Sequence, residues 1–147
     1  MADAPPPPPP PTGPPGQPMG PGMRPPQVTA AGVIEIILGS LVLLVLAYIL
    51  ISVGGSLGDV GGTGMILLLL TLVQGVLEII AGVQVLQLKQ SGRILAIVMA
   101  SIGIVFQVIN LSGAAGGVLI LIILGIALRV LVIVFLNQAP ARTAFNS

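Results

Sequence analysis

The chain has 147 residues, of which 55% are hydrophobic and only 6% charged, with a formal net charge of +1. Soluble domains carry roughly a quarter charged residues, so a mean hydropathy of +1.14 places this chain in the bilayer rather than in water. It has neither Cys nor His, which excludes disulfides, thiol chemistry, imidazole acid–base catalysis and His or Cys metal sites. Five scattered basic residues make no footprint for nucleic acid. With Asp3, Glu35, Asp59 and Glu78 as its only carboxylates, the chain is not expected to be an enzyme, and no cofactor is expected.

Residues 1–27 read as a separate region. Pro5 to Pro11 are consecutive, and Pro14, Pro15, Pro18, Pro21, Pro25 and Pro26 follow among Gly, Gln and Met. Proline fixes φ and removes the amide donor, so this arm is expected to be disordered and to favour extended polyproline II. Two uses fit it: a ligand for an aromatic-lined groove of the SH3, WW or EVH1 kind, or a hydrophilic spacer.

Residues 28–138 are expected to form an all-α transmembrane four-helix bundle. Four apolar stretches, about Ala30 to Val53, Met65 to Leu88, Ile94 to Leu111 and Val118 to Leu136, are each long enough to cross a hydrocarbon core of ~30 Å at ~1.5 Å per residue. Gln90 and Gly92 mark a tight turn between spans two and three, and Gly54 to Gly64 a flexible loop between spans one and two. Residues 139–147 read as a short tail.

The connections differ in charge. Arg24, Lys89, Arg93 and Arg142 all fall at one end of an alternating bundle, whereas Gly54 to Gly64 carries only Asp59 and Ser112 to Gly117 carries no charge. The positive-inside rule makes the basic end cytoplasmic, so a plasma-membrane protein with both termini inside is expected.

Three charges lie within the apolar stretches: Glu35, Glu78 and Arg129. An ionised side chain there costs roughly 2.5 to 3.5 kcal/mol on the insertion scale, so each needs a partner or a shallow position. Counting from the basic end, Glu78 and Arg129 come to similar depth and are expected to pair. Glu35, about five residues in, is expected either to reach the interface or to join the pair as a second acceptor.

Around both glutamates the sequence repeats. Gly32-Val-Ile-Glu35-Ile-Ile-Leu-Gly39 and Gly75-Val-Leu-Glu78-Ile-Ile-Ala-Gly82 share the pattern Gly-x-x-Glu-x-x-x-Gly. At helical spacing the glycines and the glutamate share one face, and small residues let membrane helices approach closely. Ala96, Ala100, Gly103 and Gln107 in span three, and Gly125 before Arg129 in span four, extend this inward surface.

The proline-rich tail, the Gly75-to-Gly82 segment, Gly92-Arg93-Ile-Leu-Ala-Ile-Val and the closing Val-Phe-Leu-Asn-Gln-Ala-Pro140-Ala-Arg142-Thr-Ala-Phe145 resemble uncharacterised small four-helix membrane proteins common in actinobacteria. The resemblance implies a bacterial inner-membrane protein and no particular activity. The residues favour a non-catalytic membrane scaffold or accessory subunit whose tail docks a partner and whose bundle associates with itself or another membrane protein. The alternative is a small transporter or channel component using Glu78 and Glu35.

Overall fold

The computed structural model describes residues 24–53, 61–111 and 116–146. The arm up to residue 23 and the expected loop at 54–60 lie outside the described residues. Four long helices follow one another: α1 (Pro26–Val53), α2 (Gly61–Leu86), α3 (Gln90–Leu111) and α4 (Gly117–Asn137), with a short α5 (Ala139–Phe145). All four long helices have the length and hydropathy to span a membrane. In the bilayer each backbone amide must be satisfied within the chain, which a continuous helix achieves.

The helices run up and down, each packed on its chain neighbours, and α4 returns against α1 to close the ring. Buried positions repeat at alternating spacings of three and four: Gly75, Glu78, Gly82 and Val85 on α2; Gly92, Ala96, Met99 and Gly103 on α3; Gly125, Arg129, Val132 and Leu136 on α4. That 3.5-residue period is the seam of a left-handed bundle.

The helices begin earlier than hydropathy alone places them. Pro26 opens α1, where its missing amide costs nothing, and the Pro25 carbonyl accepts from the Val28 and Thr29 amides at 3.0 and 3.2 Å. Helix α2 starts at Gly61, inside the segment expected to be loop, and α3 starts at Gln90.

The turn between α2 and α3 is centred on Leu88, not on Gln90 and Gly92. Leu88 has φ +56°; its amide donates to Val85 at 3.0 Å and the Lys89 amide donates to Gln84 at 3.0 Å. This is a Schellman ending with leucine where glycine is usual, and the leucine side chain packs on the core in return. Gly92 is instead a packing residue: a Cβ there would lie 2.6 Å from the Gln84 carbonyl carbon and 2.8 Å from the Val85 nitrogen.

The core sits at the basic end. Val28, Ala31, Ala81, Val85, Ala96, Val132 and Leu136 are fully buried there. Ala141 and Phe145 of α5 join the same cluster, so the expected tail is a helix folded under the bundle. Gln138, extended at φ −65° and ψ 148°, precedes it, the backbone conformation usual for the residue that caps a helix start. Arg93 on α3 donates from Nε to the Leu136 carbonyl at 3.0 Å, satisfying the end of α4 with a cation placed favourably for its dipole.

Candidate functional site

Glu35, Glu78 and Arg129 meet inside the bundle. Their exposures are 1%, 1% and 4%, so none of the three reaches lipid or water. Arg129 Nη2 donates to Glu78 Oε1 at 2.7 Å, the distance of a charge-assisted bond. Gln74, one turn away on α2, donates from Nε2 to the same oxygen at 3.2 Å.

Glu35 is deeper than the sequence suggests. Because α1 starts at Pro26, Glu35 is nine residues in, about 13 Å at 1.5 Å per residue. Glu78 lies eight residues before the end of α2 and Arg129 eight before the end of α4, about 12 Å each. The three are level, and Glu35 does not snorkel to the interface.

The repeated glycine motif explains this convergence. In the antiparallel contact of α1 with α2, Gly32 meets Gly82 and Gly39 meets Gly75. A Cβ at Gly39 would lie 2.7 Å from the Gly75 carbonyl oxygen, and one at Gly82 would lie 2.7 Å from that of Gly32. Each copy thus packs head to tail on the other, bringing the two glutamates to the middle of one contact.

On the other side of the bundle the glycines do something else. Gly103 of α3 leaves the space that the Arg129 side chain fills, and Gly125 of α4 leaves the space that the Gln107 amide fills. Helices α3 and α4 therefore exchange polar side chains into one another's glycine gaps. Ala96 and Ala100 are fully buried on the same face of α3.

Hydrogen bonding within the site is incomplete. Both Glu35 oxygens, Glu78 Oε2, Arg129 Nε and Gln107 Oε1 are buried without a partner. A cavity of about 280 Å³ lies towards the opposite end, lined by Leu67, Leu70, Thr71, Gln74, Phe106 and Asn110. Gln74 joins the two places, since it lines the cavity and bonds to Glu78. Sequence reading had singled out neither Gln74 nor this cavity; a glutamine four residues before a buried glutamate on one helix was the available signal.

No protein-family model, curated protein or solved structure matches the chain.

Proposed function

We propose that this chain, whose four long apolar helices fit an integral membrane protein, works as a non-catalytic scaffold or accessory subunit of a bacterial inner membrane, with both termini in the cytoplasm. In this reading the proline-rich arm, attached directly to the basic end of α1, docks a soluble partner. The bundle then associates with itself or with another membrane protein. The observation that carries the proposal is how the interior polar groups are spent: Arg129 and Gln74 both bind Glu78, and Gly103 seats Arg129. Such groups fix which helices meet and in what register.

The full-length chain in lipid nanodiscs, titrated with SH3, WW and EVH1 domains, tests the docking role. Binding by one of these classes, lost on deleting residues 1–23, is expected. Failure of all three to bind removes the docking role. Orientation is tested by single cysteines in this Cys-free background: one at Gln90 is expected to resist an impermeant thiol reagent in intact cells, and one at Ser56 to react.

One observation favours the second reading, a small transporter or channel component using Glu78 and Glu35. It is the Glu35 carboxyl, buried with both oxygens unpartnered, since intramembrane acids often mark ion pathways. Ion flux through proteoliposomes of the purified chain, abolished by Glu78→Gln, would replace the scaffold reading with this one.

A further inference from the structure

Two carboxyls and one guanidinium share the interior of the bundle. Glu78 holds Arg129 through one oxygen and leaves the other free, while Glu35 has two free oxygens and Arg129 has a free Nε–H. Glu35 and Glu78 face one another's helix, flanked by the same two glycine contacts of α1 with α2, and both are buried. Among the described residues the other elements add no titratable group here: α3 presents Ala96, Met99, Ala100 and Gly103, and Tyr48 of α1 is exposed more than three turns away. If all three side chains were ionised, the site would keep one uncompensated negative charge on buried groups, which is strongly unfavourable.

We infer that Glu35, Glu78 and Arg129 form a one-proton site, in which the two carboxyls share a single proton and the guanidinium serves whichever of them is ionised. The structure shows Arg129 bonded to Glu78 and Glu35 without a partner, which in this proposal is the form with the proton on Glu35. When the guanidinium turns to Glu35, the Glu35 O–H bond breaks, the proton passes to a Glu78 oxygen and an O–H bond forms there. Charge is zero before and after, and no other reactant is needed. The missing side chain at Gly103 is what lets Arg129 enter the bundle at the level of the two carboxyls. The inference is independent of the docking role of the arm. It assigns the site a ligand, the proton, that a simple two-residue staple would not bind.

Infrared spectroscopy of the full chain in lipid at neutral pH tests it, because a protonated carboxyl absorbs apart from a carboxylate. Since Glu35 and Glu78 are the only glutamates, ¹³C-glutamate labelling moves their bands alone. The expected count is one protonated glutamate in the native chain and none in Glu35→Gln. The decisive variant is Glu78→Gln, in which Glu35 survives but becomes the sole partner of Arg129, so the expected count is again none. A native chain without a protonated glutamate would overturn the proposal. So would a band that persists in Glu78→Gln, since the proton on Glu35 would then be independent of where the guanidinium binds. Helical circular dichroism checks that both variants fold, and should Glu78→Gln fail to, the comparison of the native chain with Glu35→Gln still decides whether Glu35 carries the proton.

Discussion

The two ends of the bundle are built differently. At the basic end every helix contributes small or apolar residues that are fully buried, and α5 closes the bottom. Beyond the level of Gly39, Gly75, Gly103 and Gly125, Leu46 is the one buried residue among those described. There Tyr48, Ile51, Ile120 and Leu121 are 67 to 79% exposed, and a cavity separates parts of α2 and α3. Composition does not cause this, because both halves are apolar. Close approach between membrane helices comes from small residues and polar contacts, since lipid is as apolar as leucine. The motif glycines and the buried charges stop where the open half begins. Stability should therefore reside at the basic end, and the open half has the freedom to adapt to lipid or to another protein.

The contrast can be broken at the ion pair with the largest effect. Arg129→Leu leaves Glu78 without its partner, and breaking a buried pair this way costs about 3 to 5 kcal/mol. Detergent-solubilised protein should show a marked loss of folded yield. Glu78→Leu is expected to cost less, because Glu35 is at hand for the guanidinium.

Next comes Phe145→Ala, which empties a site in the closed core and is expected to cost about 3 kcal/mol as judged by reversible unfolding in mixed micelles. Cutting the chain after residue 138 should have a similar effect if α5 acts as a plug rather than a loose tail.

Glycine substitutions sharpen the comparison at smaller scale. Gly39→Ala drives a methyl group against the Gly75 carbonyl and should cost about 1 to 3 kcal/mol. Gly62→Ala and Gly117→Ala meet nothing within 4 Å and should gain a few tenths of a kcal/mol from helix propensity. Equal losses at all three positions in thermal melts would mean that the open half is packed as tightly as the closed one. The smallest effect is expected from removing residues 1–23, which should leave the melting temperature unchanged because α1 and its Pro25 anchor remain.

Much of this was legible in the sequence, and the reasons differ by residue. Four spans follow from apolar runs of bilayer length. Pairing of Glu78 with Arg129 follows from depth counted from the basic connections. Glu35 lies deeper than hydropathy places it, because an apolar run begins at Ala30 whereas the helix begins a turn earlier at Pro26. Helix α5 is too short for a hydropathy signal, although Pro140 near its start and Phe145 near its end are the marks of a brief amphipathic turn. Gly92 looked like a turn residue because glycine has two uses, conformational freedom and lack of bulk, and here the second applies. The seating of Arg129 at Gly103 and of Gln107 at Gly125 depends on which helices become neighbours, which spacing along one helix does not encode.

Within the closed half, Glu78 and Arg129 act as one coupled pair. The most direct test of that coupling is a double-mutant cycle of Glu78→Leu and Arg129→Leu, read by reversible unfolding in mixed micelles. The double variant is expected to be more stable than Arg129→Leu alone, with a coupling of at least about 1 kcal/mol. Losses that add within about 0.5 kcal/mol would contradict it, because independent sites behave that way and paired ones do not.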